Sequence, residues 1–363
     1  MNLKNRRSQL GIMNKQTKSR SDDTLLTVDF NLRSINERIV AFGNQKMSLD
    51  VETGKMGFCL YFFGLSRLSG NREYKNRAEK LLDAVYSELG AESAVRSAYE
   101  LAQIGWSMDY LLKQKYVGGN INFVLGDIDR LIFKAVVFDK TPVTYRLNGI
   151  FFILYFICMR IEEQKKGSEE RFILEELCIK LVNELYRSFD AGFYDEPYRF
   201  NLADYKLPQF LFAVSKIYSL EFYNYRINEI LHEISRLIQS RMPALHSNRL
   251  FLLWSLAHLK QATGREVWDE QTNLLANHID YQKIIYTELR SKNVFLLDGV
   301  SGIYLLLNAL KDTPYPIPFD KTLFRKRIED SEIWKDEEAL DFVGLVNGFS
   351  GLLWVYNTII NEI

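Results

Sequence analysis

The sequence predicts an all-α fold, a ring of about seven helical hairpins, from three observations. A glycine-marked apolar run returns along the chain at a fairly regular period. Amphipathic segments at helical spacing alternate with these runs. Convincing strand alternation is absent, apart from short β-prone pieces such as FYDEPYRF near Phe193, and the 7 prolines fall mostly in connections.

The clear copies of the run are GKMGFCLYFFGL from Gly54, LNGIFFILYFI from Leu147, DGVSGIYLLL from Asp298 and NGFSGLLWVY from Asn347. Weaker copies are ELAQIGWSMDYLL from Glu100, LPQFLFAVSKIY from Leu207 and RLFLLWSLAHL from Arg249. The last small-residue slot of each is Gly57, Gln103, Gly149, Gln209, His258, Gly302 and Gly351. Successive slots lie about 44 to 60 residues apart, room for two helices and two connections. The run from Leu147 to Met159 is bounded by Arg146 and Arg160. It is too short for a bilayer, which needs about 20 residues, so it reads as a buried helix.

The segments between are half-buried helices. From Asn71, one face carries Ala78, Leu81, Leu82, Val85 and Leu89. From Ser168 the face is Ile173, Leu174, Leu177, Leu181 and Leu185, and from Ile227 it is Ile230, Leu231, Ile234, Leu237 and Ile238. Charged residues fill the opposite faces. In a ring of such hairpins the inner helices converge, and glycine lets backbone meet backbone there. Open helix N-termini facing the centre would present unpaired N–H groups.

Composition fits one large domain, 25–363, after a basic tail or extension at 1–24. Of the 363 residues 47% are hydrophobic, enough for one continuous core along a closed array. Lys and Arg balance Asp and Glu at 46 each, so no global field draws the chain to nucleic acid or an anionic membrane. The tail carries Lys4, Arg6, Arg7, Lys15, Lys18 and Arg20 with no apolar stretch, unlike a secretory signal. Three cysteines, an odd number, argue for a reducing, cytoplasmic setting. Neither membrane insertion nor a nucleic-acid partner is expected, and the oligomeric state stays open.

The motifs resemble the lanthionine synthetase C-like family, which closes thioether rings in ribosomal peptides. The strongest stretch is QIGWSMDYLLKQKYVGGNINFVLGDIDRLIF, Gln103 to Phe133, followed by the GKMG, LNGI, LDGVSG and LVNGFSG copies. The resemblance covers nearly all the chain after residue 40. It implies an α/α toroid of fourteen helices in two concentric layers. It also implies a zinc site built from one cysteine in an R-L-x-W-C-Y-G motif and a Cys-His pair in a C-H-G motif. Zinc there would turn a substrate thiol into a thiolate nucleophile.

The matching positions here have lost those ligands. Arg249 to Ser255 read RLFLLWS, which puts Leu253 in the cysteine slot, and Leu297-Asp298-Gly299 replaces Cys-His-Gly. Leucine ligates no metal, and Asp298 alone does not hold zinc. A family histidine in the fourth repeat maps near Asp204, and the acidic position of the third repeat has only Pro142 and Asp139 nearby. No cofactor is therefore expected. Arg249 is the family arginine that stays, able to grip a carboxylate or carbonyl, and Trp254 keeps an aromatic wall. Asp298 opens an inner helix, where a carboxylate caps.

Other metal or nucleophilic chemistry is weakly supported. Cys59, Cys158 and Cys178 lie in apolar helix contexts without a C-x-x-C partner and read as packing residues. His232 lies in an amphipathic segment, His246 in a connection and His278 in LLANHIDYQ. His258 stands out because it fills a repeat slot. P-loop, dinucleotide and G-x-S-x-G motifs are missing. The reading is a non-catalytic protein that binds a peptide, or partners a modifying enzyme, with Asp204, Arg249, Trp254, His258 and Asp298 as candidate contacts. The alternatives are a zinc-independent peptide cyclase and a toroid glycoside hydrolase using two of Asp109, Asp204, Asp298 and Asp341. Clustered aromatics in the cavity would favour binding, with Trp106, Trp254 and Tyr304 placed near the inner layer.

Overall fold

The structure, a computed structural model, describes residues 47–89, 96–138, 147–339 and 342–362, with Ile35, Glu37, Arg38, Ile39 and Ala41 before them. The basic tail, Asp139, Pro142 and Asp341 lie outside the described residues. Those described are all-helical, without a strand. The piece around Phe193 that reads as β-prone is a 3-10 turn, Ala191–Tyr194. Asp190 caps that turn, and Phe193 is buried. Local capping and burial outweigh β propensity there.

Apolar and amphipathic helices alternate. The apolar set is α1 (Lys55–Ser69), α3 (Ala98–Lys113), α5 (Leu147–Glu163), α7 (Lys206–Ser219), α9 (His246–Thr263), α11 (Val300–Ala309) and α13 (Phe349–Glu362). The amphipathic set is α2 (Arg72–Leu89), α4 (Ile121–Phe138), α6 (Glu169–Arg187), α8 (Asn224–Ser240), α10 (Asp269–Asn277) and α12 (Lys321–Glu329). Each apolar helix packs on the next of its set, from α1 through α3, α5, α7, α9 and α11 to α13, and α13 packs back on α1. The amphipathic helices pack on their chain neighbours: α2 on α1, α4 on α3, α6 on α5, α8 on α7 and α10 on α9.

Burial follows the sequence pattern with small departures. Ala78, Leu81, Leu82 and Val85 of α2 are buried, as are Ile230, Leu231, Ile234 and Ile238 of α8. Leu89 and Leu237 are half-buried, and Ile173 on α6 is exposed. Residues with these side chains gain about 1.5–3 kcal/mol each when fully buried, so one stripe per helix holds the amphipathic set in place. The buried side chains form one cluster reaching from Ile35 to Ile359. Among the described residues no helix is long and apolar enough to cross a membrane.

Local signals set the helix ends. Ser97 accepts from the Glu100 N–H at 3.1 Å and Ser168 from the Arg171 N–H at 3.2 Å, as N-caps. Helices α1 and α9 stop at Gly70 and Gly264, with φ of 68° and 64°. His246 is the first residue of α9, not part of a connection. Nothing in the local spacing places that start, because its caps come from far along the chain. Glu288 accepts from the His246 N–H (2.6 Å), the Ser247 N–H (3.0 Å) and the Ser247 hydroxyl (2.6 Å).

Candidate functional site

The two ends of the apolar helices are built differently. Loops fold over the N-terminal end and bond to it through backbone. Lys55, Met56 and Gly57 donate to the carbonyls of Ser48, Leu49 and Asp50, at 3.0, 3.3 and 3.3 Å. Val300 and Ser301 donate to Asn293 and Val294 at 3.0 and 3.2 Å, and Phe349 donates to Phe342 at 2.8 Å. The expected open N–H groups are therefore satisfied at these three helices. Each loop supplies the carbonyls that the first turn lacks.

Those loops also bond to one another. The Leu202 N–H donates to Leu297 O (2.9 Å), Leu297 N–H to Val346 O (3.2 Å) and Leu345 N–H to Glu52 O (2.9 Å). The Val51 N–H donates to Gln103 Oε1 at 2.8 Å, and the Tyr99 hydroxyl bonds Glu52. The slot glycines make this closure possible. A Cβ on Gly302 would overlap Leu296 O, and one on Gly351 would overlap Leu345 O.

At mid-height the same helices leave one kind of side chain half-buried. Trp354 of α13 meets Tyr110 of α3 with ring centroids 5.9 Å apart, and Tyr110 meets Trp106 at 5.9 Å. Trp106 meets Phe152 of α5 at 6.1 Å, Phe152 meets Tyr155 at 6.4 Å, and Tyr155 meets Phe212 of α7 at 5.9 Å. Phe212 meets Trp254 of α9 at 4.4 Å and His258 at 5.2 Å. The result is an aromatic girdle across five apolar helices, each ring partly open. Offset and edge contacts of this kind add about 0.5–1.5 kcal/mol per pair beyond burial.

Charge gathers at the C-terminal end. A cavity of about 320 Å³ opens between α3, α5 and α7, lined among others by Trp106, Asp109, Tyr110, Tyr155, Glu162 and Lys216. Lys113 is also on its wall, and its Nζ pairs with Asp109 (3.0 Å) and Glu163 (2.6 Å). Arg160, 1% exposed, forks onto Asp129 at 2.9–3.1 Å and pairs with Glu163. Burial, followed by the hydrogen bond with Glu163, pushes the Asp109 carboxyl up to about 6. Burial opposes ionisation of Glu163 too, but Lys113, Asp109 and Arg160 hold it below the usual range. His258 is lowered by burial and then by Lys216, whose Nζ lies 5.5 Å from the Phe212 ring centroid.

The candidate contacts read from the sequence do not form one cluster. Trp254 and His258 stand together, ring centroids 5.0 Å apart, in the girdle. Arg249 lies at the other end of α9. Its guanidinium donates to the carbonyls of Pro243 (2.6 Å), His278 (3.0 Å) and Ala244 (3.1 Å), and so ties down a connection. Asp204 is exposed in the turn before α7. Asp298 is half-buried, accepts from Asn293 Nδ2 at 3.2 Å, and is raised by burial. Leu253 is fully buried, and Leu297 serves the loop closure through its backbone. Among the described residues no group of three His, Cys, Asp or Glu side chains gathers as metal ligands would. Tyr304 is core, at 0% exposure.

Sequence reasoning named Asp109 as a candidate carboxylate but missed its partners Lys113 and Glu163. Asp109 and Lys113 are an i,i+4 pair on α3, a visible signal. Glu163, at the end of another helix, gave none. The structure also joins Cys158 to Cys178 across α5 and α6, and that contact, with burial, raises the Cys178 thiol. Both remain buried. No family model matches the chain, and no curated protein matches it either.

Proposed function

We propose that this protein is an α/α toroid of the lanthionine synthetase C-like kind. In this reading its cavity binds a peptide without a zinc site, as an accessory component of a ribosomal-peptide modification pathway. The return of α13 onto α1 supports the toroid, with seven apolar helices inside and the amphipathic helices outside. The observation that carries the binding reading is the aromatic girdle from Trp354 to His258. Half-buried rings in contact offer large, rigid, apolar area at low entropy cost, as peptide-binding clefts do.

The arrangement supports binding over glycoside hydrolysis. Asp109 and Glu163 share a hydrogen bond, whereas glycosidase carboxylates stand about 5–9.5 Å apart to admit sugar and water. Asp204 and Asp298 sit at the end covered by loops. The test is titration of the full chain with peptides encoded beside its gene, followed by tryptophan fluorescence. Saturable binding that Trp254→Ala and Phe212→Ala weaken about tenfold is expected. Binding that both variants leave unchanged, with native melting curves, would remove the girdle as the site.

A further inference from the structure

We propose that α4 and the groove beside it form a dimer interface, on which a second copy of this chain packs so that the two α4 helices cross antiparallel near Gly126. None of the residues involved belongs to the aromatic girdle, so the inference does not depend on the peptide reading.

Helix α4 is apolar on both faces. Leu125, Ile128, Ile132 and Val136, spaced by three and four residues, are buried in the chain's own core. Leu131, Phe133 and Val137 fall on the other face and are exposed, and so are Phe123 at 87% and Phe138 at 71%. A helix that is apolar all round is ordinarily covered all round. An aromatic side chain carries about 150–250 Å², so these five residues and the exposed Ile173 of α6 offer about 600 Å² of apolar surface. That is at the upper end of what a monomer leaves bare, and about three quarters of the roughly 800 Å² that each partner gives to a standard interface. Flanking polar residues make up the rest.

Beside this face runs a groove of about 680 Å³ between α4 and α6, with Gly126, Arg130 and Phe133 on one wall and Glu170, Ile173 and Leu174 on the other. Gln164 Nε2 donates to Asn122 Oδ1 (3.0 Å) at one end, and Lys180 Nζ donates to Val136 O (3.4 Å) toward the other. Gly126 has no packing reason within its own chain. Nothing lies within 4 Å of where its Cβ would stand, whereas Gly302 and Gly351 are each pressed by a loop carbonyl. Helix interiors disfavour glycine, so the gap calls for something that approaches from outside. Phe123 stands three residues, about one turn, before that gap. A two-fold axis between the two positions sets each copy's Phe123 over the partner's gap, as an isologous contact requires. Charge selects a copy over an acidic or basic partner. Asp129 and Glu170 balance Arg130 and Arg160 along the groove, and Arg130 pairs with Asp127 as Arg160 does with Asp129. A neutral face neither repels its own copy nor draws nucleic acid or anionic lipid.

The experiment is sedimentation equilibrium of the full chain from about 1 to about 100 µM, a range that brackets a micromolar dimer. A dimer should form within it. Gly126→Leu should weaken that dimer at least about tenfold, because the new side chain fills the gap the partner needs. The same variant, diluted to monomer, should melt at or above the parent's temperature, because a helical glycine is replaced in open space. Loss of the dimer is thereby separated from loss of the fold. Phe123→Ser, at an exposed position, should weaken the dimer by a similar factor. A chain that stays monomeric throughout would overturn the proposal, and co-sedimentation of that monomer with phosphatidylcholine vesicles would assign the face to a lipid surface instead. A dimer that both variants leave intact would overturn it as well, since the contact then lies elsewhere.

Discussion

The two ends of the same seven helices show two solutions to one problem. Each helix end leaves backbone groups without partners. The N-terminal end spends its sequence on glycine and loop backbone. Leu202, Leu297, Leu345 and Val346 join neighbouring loops through main-chain bonds, and Gly302 and Gly351 let the carbonyls come close. From mid-height to the C-terminal end the helices carry large and charged side chains instead, the girdle and then the Asp109–Lys113–Glu163–Arg160 group. A surface made of backbone offers a ligand little to recognise. A surface of rings and carboxylates offers both contact area and charge, which is the reason for putting the proposed peptide site there.

The largest test of that contrast is Arg160→Ala. It leaves Asp129 and Glu163 without their buried cation and should cost about 3–5 kcal/mol in urea unfolding. A loss below about 1 kcal/mol would mean that water replaces the arginine and the group is not structural. At the other end, Gly351→Ala should cost about 3 kcal/mol, because the new Cβ meets Leu345 O and the loop must lift. Gly64→Ala is its control. That helical glycine has open space around its Cβ position, and the change should stabilise by about 0.5–1 kcal/mol. Similar effects at both positions would break the close-approach argument.

A smaller effect separates the two ends by function. Arg249→Ala removes three bonds to carbonyls and should lower stability by about 1–2 kcal/mol, with peptide affinity within twofold of the parent. Trp254→Ala should show the larger loss in affinity. If Arg249→Ala abolishes binding at full stability, the N-terminal end is the recognition surface after all.

The smallest effect is a pH slope. Asp109 sits near 6 in the folded protein against an ordinary 3.8, so between these values the native state keeps a proton that the unfolded chain has released. This group therefore makes stability fall as pH rises from about 4 to about 6. Glu163 is shifted down and acts in the opposite sense, losing its contribution as pH falls through the acid range. Burial opposes the charge of Lys113 and Arg160, but their carboxylate partners raise both, so they stay charged through that window. Asp109→Asn should flatten the fall measured by thermal melts from pH 4.5 to 6.5. An unchanged slope would assign it to another group.

The aromatic candidates were legible in part. Trp106 and Trp254 fall on the helix face that repeats at three and four residues, and that face is where the girdle lies. Tyr304 comes one residue earlier after its slot glycine than Trp106 and Trp354 do after their slots, and that offset, about 100° of rotation, puts it on the buried side. Arg249 and Asp298 were placed by resemblance. Resemblance carries a position along the chain, not what the side chain there bonds to.

The chain's own pattern determined that apolar and amphipathic helices alternate, that strands are absent from the described residues, and that glycine recurs where helices start. These follow from spacings of three and four residues and from local caps, which act within a few residues of chain. Only the tertiary structure decided that the helix starts are covered by loop backbone and that Glu163 stands beside Asp109. The same holds for Glu288, 41 residues from Ser247, which caps α9. Each of these is a contact between distant segments, and its partner is chosen by how the helices pack rather than by any signal in the segment itself.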